Sequence, residues 1–383
     1  MKNLNPIKLF RWLSILLALS TIIISIQNYS LREKRVGDSD ILYTEYNNFK
    51  IFKHSFFHLL ENKNLYEYHE EEHFDLYKYS PTFALFMGIF AYFPDVVGLI
   101  LWGLLNAFVL ISAIKHLPLD SFKKNAFILA FIFIELITSL QNSQSNALMV
   151  GLILWAFILL ERKKILYATL LITLSVFIKL FGLVAFALFI FYPNKGKAVL
   201  STLVWALLLF ALPLIVLSFP ELIQQYDFWL ELLKNDKSVA LDLSVNGWLN
   251  TWFGISGIRP FVLISGSLLL LAPLIKVSNY SSTIFRYLFL SSLLIWMVIF
   301  NHKAESPTFI IAISGVAIWY FTQEKSKLNL VLLLFVFVFS ILSPTELMPS
   351  IIDDELVIPY VLKAVPCIFV WFKLNYDLWT IRE

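Results

Sequence analysis

The chain has 383 residues, 59% of them hydrophobic and only 15% charged, with a mean hydropathy of +0.75 and a net charge of +3. A soluble globular domain is closer to half apolar and a quarter charged, so this composition excludes an ordinary water-soluble enzyme and points to one polytopic membrane domain over 1–383. The single cysteine, Cys367, excludes an intramolecular disulfide and any cysteine-based metal site.

The first apolar run, Phe10 to about Gln27, follows Lys2, Lys8 and Arg11 and is long enough to cross a bilayer, so it reads as a retained span rather than a cleaved signal. Residues 30–79 are a long polar stretch carrying Asp38, Asp40, Glu45, the run Glu70–Glu71–Glu72 and Asp75. Within it Phe49, Phe52, Phe56 and Leu59–Leu60 recur at helical spacing, with Lys50, Lys53 and His54 on part of the other face, which predicts an amphipathic helix on the membrane surface. Residues 80–94 are apolar but short and read as a re-entrant or interfacial helix. Further apolar runs follow at 96–115, 125–140, 146–160, 165–192, 198–218, 258–275, 284–300, 306–321, 328–343 and 357–375. The expected fold is all-α and polytopic, with about ten spans plus short re-entrant or hairpin helices.

Basic residues cluster in alternate gaps: Lys115 with Lys123–Lys124, Arg162–Lys164, Lys195 with Lys197, Lys276 with Arg286, Lys325 with Lys327, and Lys373 with Arg382. The positive-inside rule puts these, and both termini, in the cytoplasm. Residues 165–192 then begin and end on the same side, so they read as a membrane hairpin with its tip at Phe177–Gly182. The external face gathers loop 30–79, the turn 141–146, loop 219–257, the turn 301–305 and loop 344–356. No internal repeat is evident, which gives an inverted-repeat transporter no support.

Several residues on that face can carry chemistry. A partly desolvated carboxylate after the first span, Asp38, Asp40 or Glu45, suits a general base, although a solvated acidic loop has the same composition. Lys179 puts an ammonium at the tip of a membrane hairpin, where it suits the phosphate of a lipid carrier or a structural ion pair with Glu135. The turn Gln141–Asn146 holds four amides able to bond phosphate or sugar hydroxyls. The turn 301–307 offers His302 and Glu305, with Pro307 starting the next helix. Phosphate-loop, HExxH and EF-hand patterns are missing, so the reading expects no metal, no cofactor and no nucleic acid.

Taken in order, these stretches resemble glycosyltransferase family 87, of the C-type membrane glycosyltransferase fold. Asn48–Phe52 through Leu65–Tyr66 resembles its Asp-Phe segment ending in Leu-Tyr. Tyr79–Ser80–Pro81–Thr82–Phe83 resembles its Tyr-x-Pro-x-Phe, Ser143–Leu148 its Gly-Gln-x-Asn-x-Leu, and Phe177–Ile178–Lys179 its apolar-apolar-Lys hairpin tip. The likeness covers most of residues 40–200. It implies an inverting enzyme of the bacterial cytoplasmic (inner) membrane that works on the outer face. The enzyme would move a hexose, mannose in known members, from a polyprenyl-phosphate donor to a lipid-linked or glycan acceptor, with membrane lipid as its surroundings. The family's aspartate aligns with Asn48, which cannot act as a base. Either the base has moved to Asp40 or Glu45, or the ungapped register is off, or transfer has been lost; the first is the expectation. Asn48, Tyr79, Gln144, Asn146, Lys179, His302 and Glu305 are then the expected substrate contacts. A non-catalytic lipid-glycan transporter or assembly component, with Lys179 and Glu135 lining a passage, is the alternative.

Overall fold

A computed structural model describes residues 5–35, 42–235, 242–343 and 345–381. The helices run α1 (Pro6–Ser30), α2 (Asn47–Leu60), α3 (Pro81–Ala91), α4 (Asp95–His116), α5 (Phe122–Gln141), α6 (Asn146–Glu161), α7 (Ile165–Ile178), α8 (Lys195–Ala211), α9 (Phe219–Asn235), α10 (Val245–Phe253), α11 (Arg259–Leu271), α12 (Thr283–Ile299), α13 (Phe309–Thr322), α14 (Lys327–Val336), α15 (Ser350–Ile352) and α16 (Val365–Thr380). A 3-10 helix, Leu180–Phe191, follows α7. Two short antiparallel strands, β1 (Lys34–Arg35) and β2 (Leu42–Tyr43), lie between α1 and α2.

The all-α expectation holds among the described residues apart from that ladder. Among the described residues, four helices are long and apolar enough to cross a membrane: Pro6–Ser30, Asp95–His116, Phe122–Gln141 and Lys195–Ile215. The other apolar helices have 10–17 residues, short of the roughly 20 that a 30 Å hydrocarbon core takes. Lipid-facing character is plain on the outer helices, where Leu200, Leu203 and Leu207 of α8 and Ile264 and Leu268 of α11 are exposed. An apolar surface of that extent is stable only in lipid or against a partner. The centre is formed by α5, α6, α12, α13 and α16, and α13 is buried without interruption from Phe309 to Trp319.

Local signals set the helix starts. Asn5 accepts from Ile7 N and Lys8 N at 3.0 and 3.3 Å, ahead of Pro6. Ser80 accepts from Phe83 N at 3.1 Å, ahead of Pro81. A capping oxygen satisfies amides that the first turn leaves open, and proline at the first helical position has no amide to lose. Where the sequence suggested a span from 357, the helix starts only at Val365: Val361 sits at a positive φ of 56° and breaks the run.

Helix α2 occupies the expected stretch, but its apolar face is turned onto protein. Phe49 and Phe52 are fully buried, and Phe52 meets Tyr79, Phe83 and Trp102 edge-on at 4.9, 5.3 and 5.8 Å. Helices α3 and α4 cover the surface that the sequence left to lipid.

The helices alternate in direction, so one end of the bundle collects the α1–α2 loop, the α5–α6 turn, the break after α7 and the turn before α13. Asn28 Nδ2 donates to Gln141 O at 2.7 Å and Asn48 Nδ2 to Asn142 O at 2.9 Å, tying the loop to the α5–α6 turn. Ser80 Oγ donates to Phe177 O at 2.5 Å, tying the start of α3 to the end of α7. Past Lys179 the chain folds back on itself: Gly182 lies so close to α7 that a Cβ there would sit 2.6 Å from Ser175 Oγ and 2.9 Å from the Ser175 carbonyl carbon. The opposite end is clamped. Arg286 Nε and Nη2 donate to the two oxygens of Glu161 at 2.6 and 2.9 Å, and Tyr192 OH donates to Glu161 at 2.5 Å, joining α6, the 3-10 helix and α12.

Candidate active site

A cavity of about 340 Å³ opens at the loop end. Its lining combines polar side chains, Asn48, Asp75, Lys78, Tyr79, Gln144, Lys179, Asn301, Lys303, Glu305 and Thr308, with apolar ones, Ile51, Phe52, Leu76, Ile178, Leu180, Phe181 and Leu233. Such a combination suits a ligand with a polar head and a hydrocarbon portion.

One chain of hydrogen bonds joins three of the polar lining residues, Lys179, Gln144 and Glu305. Lys179 Nζ donates to Asn146 Oδ1 at 2.7 Å, Asn146 Nδ2 to Gln144 Oε1 at 2.6 Å, and Gln144 Nε2 to Glu305 Oε2 at 2.6 Å. Each amide accepts on one side and donates on the other, so the relay joins an ammonium to a carboxylate through two oriented dipoles. Asn146 is fully buried and starts α6; Lys179 ends α7 in an extended conformation that breaks the helix. The ammonium also lies 5.7 Å from the Tyr79 ring centre and 5.8 Å from that of Phe181, within cation–π range. Burial raises the Tyr79 phenol above its ordinary range, so Tyr79 stays a neutral donor at working pH.

Five of the expected substrate contacts, Asn48, Tyr79, Gln144, Lys179 and Glu305, therefore line one cavity, and Asn146 stands directly behind it. His302 shares the turn of Asn301 and Lys303 but is not among the lining residues. Two corrections concern charge. Glu135 does not pair with Lys179: it is fully buried on α5 and accepts from Lys363 Nζ at 3.1 and 3.2 Å. Glu45 does not line the cavity: its carboxylate is 2.5 Å from Lys34 Nζ. Asp40 and Asp38 lie outside the described residues.

The acids that do line the cavity are Asp75 and Glu305. Asp75 belongs to the acidic loop noted in the sequence but was not singled out. It sits at a positive φ of 75°, with one oxygen accepting from Leu76 N at 2.7 Å and the carboxylate 3.0 Å from Lys78 Nζ. Its segment is fastened to α2 by Asn47, which donates to Phe74 O at 2.5 Å and accepts from Phe74 N at 3.0 Å. The one signal for it in the sequence is its place four residues before Tyr79.

Beside this cavity stand four of the six histidines, His54 and His58 on α2 and His69 and His73 in the loop that follows it. The ring centres of His58 and His69 are 4.0 Å apart, and His54 lies 6.2 Å from His58 and 6.1 Å from His73. Burial lowers His54 and His58 and takes His73 down to about 4, so neutral imidazoles are favoured.

Comparison with known proteins bears on this site. The sequence model of Glycosyltransferase family 87 matches residues 77–344, from just before Tyr79 past Glu305. No curated protein matches the chain.

Proposed function

The chain belongs to glycosyltransferase family 87, and from that premise we propose that it moves a hexose from a polyprenyl-phosphate donor to a lipid-linked or glycan acceptor at the outer face of a bacterial cytoplasmic membrane. The observation that carries the reading is the relay from Lys179 to Glu305 in a cavity lined by both polar and apolar side chains. The donor phosphate sits against Lys179 and Lys303 with the Gln144 amide beside it, and the first isoprene units lie on Phe181 and Leu233. Asp75 is the general base in this scheme, because Glu305 is committed to the relay. Its carboxylate takes the proton of the acceptor hydroxyl, and that oxygen bonds to the anomeric carbon. The bond from that carbon to the phosphate oxygen breaks on the opposite face, and polyprenyl phosphate leaves with the electron pair, inverting the centre. Lys179 and Lys303 hold the charge that grows on the leaving phosphate. Asn48, at the family's aspartate position, serves structure by bonding Asn142 O.

The test is transfer by purified protein from polyprenyl-phosphate-mannose, and from its glucose counterpart, to a panel of lipid acceptors. Asp75→Asn should cut turnover by about 10²–10⁴-fold, the usual worth of a positioned base, while leaving donor binding in place. Unimpaired transfer by that variant removes Asp75 from the role. Absence of transfer from every polyprenyl-phosphate sugar overturns the donor class.

A further inference from the structure

The relay leaves the histidine cluster without a use. His54 and His58 are four residues apart on α2 and so share one face. Glu72 comes back to them from the following loop. Its Oε2 lies 3.2 Å from His54 Nδ1 and 2.8 Å from His58 Nε2. Despite those distances, His58 Nε2 and Glu72 Oε2 are both buried without a hydrogen-bond partner: their orientation does not form a bond. His58 is only 3% exposed. The two atoms face each other at 2.8 Å in a buried place without bonding, as two ligands of one cation would.

We infer that His54, His58 and Glu72 form a binding site for a divalent transition-metal ion of the zinc class, with a fourth position open to water or to His69. The three donor atoms lie within 4.8 Å of one another, and no other such group occurs among the described residues. Two imidazoles and a carboxylate are a ligand set that zinc takes, at about 2.0–2.2 Å per bond. Tetrahedral bonds of that length place ligand atoms about 3.3 Å apart; the 3.2 Å from Glu72 to His54 matches that spacing, and the 2.8 Å to His58 is shorter than it. Nearby lysines do not oppose the ion, because each has its own acid. Lys53 pairs with Asp95 at 2.6 Å, Lys63 with Glu61 at 2.6 Å, and Lys50 reaches Glu33 at 3.9 Å. The remaining histidines are tied by their other nitrogens to carbonyls, His69 Nε2 to Asn64 O at 3.3 Å and His73 Nδ1 to Asp75 O at 3.0 Å. A carbonyl only accepts, so the proton sits on those nitrogens and the second nitrogen of each ring keeps its lone pair.

The ion closes the loop from Glu61 to Glu72 onto α2, three residues before Asp75. That positional consequence rests on the proposed role of Asp75; the binding does not. The experiment therefore measures metal, not turnover. Protein carrying a histidine-free affinity tag is purified in detergent, stripped with chelator and titrated with Zn²⁺ and, separately, with Co²⁺. The expected result is about one ion per chain, an absorbance band of tetrahedral Co²⁺, and a melting temperature that rises with Zn²⁺ and falls back with chelator. His58→Ala and Glu72→Gln should each lose the ion, and His116→Ala, remote from the cluster, should keep it. Should His58→Ala fail to fold, Glu72→Gln and the chelator-reversible melting of the unaltered protein still decide. Absence of stoichiometric metal and of a Zn²⁺-dependent melting shift overturns the site, as does binding that survives both ligand substitutions.

Discussion

The pair of Glu135 and Lys363 gives the most demanding prediction. The two are fully and almost fully buried, at 0% and 4% exposed, with both carboxylate oxygens within 3.2 Å of the ammonium, and they connect α5 to the approach of α16 across 228 positions of sequence. Glu135→Gln keeps the shape and removes one charge, leaving the Lys363 ammonium buried against a neutral amide and the ring of Phe309 at 5.2 Å. Breaking a buried pair from one side costs about 3–5 kcal/mol, since an uncompensated charge stays in a low-dielectric place. Lys363→Met should cost about as much from the other side. The double substitution removes both charges together and should stay within about 1–2 kcal/mol of the parent, because replacing a whole buried pair by uncharged groups is often neutral. Unfolding in detergent micelles, followed by tryptophan fluorescence in the four proteins of the cycle, measures this. A coupling of about 2 kcal/mol or more is expected between residues in contact. Additive losses from the two single changes would refute the reasoning, because they would mean that the charges do not depend on each other.

Other outcomes follow from the same geometry. Asn146→Leu removes the acceptor that Lys179 uses and the donor to Gln144; a charge-assisted bond contributes about 1.5–3 kcal/mol, so donor-dependent transfer should fall by roughly 10–100-fold, and unchanged kinetics would take the relay out of the site. Gly182→Val should destabilise by about 1–3 kcal/mol through overpacking on Ser175, whereas Gly196→Ala, with nothing within 4 Å, should melt like the parent. Reporter fusions at Lys123, Lys163, Lys195 and Lys325 should all read as cytoplasmic; a periplasmic signal at Lys195 would undo the hairpin expected over 165–192.

What the sequence made legible was whatever periodicity and composition carry. Most of the long apolar runs became helices near their expected limits, the run from 357 being the exception, and the amphipathic pattern of Phe49, Phe52 and Phe56 became α2. A lysine inside an apolar hairpin stood out because such a charge is costly anywhere in a membrane protein. Its partner did not stand out. Glu135 lies six residues before the end of α5, about 9 Å below the loop end at 1.5 Å per residue, so it meets Lys363 and leaves Lys179 to Asn146. The pattern also could not say which surface would cover α2, and α3 with α4 proved to be that surface. Asp75 and Glu72 were hidden for another reason. Both belong to an irregular segment whose path depends on tertiary bonds such as Asn47 to Phe74, and no spacing rule encodes that path.

The clamp of Arg286, Glu161 and Tyr192 gives the molecule a handedness of traffic. Its bidentate ion pair knots three helices together at the end away from the cavity, while the cavity lies among the loops and turns of the other end. Under the proposed function, a substrate that reaches Lys179 would arrive and depart at the loop end. On that reading the bundle works as a cup rather than a pipe, and its product would be left on the side from which the materials came.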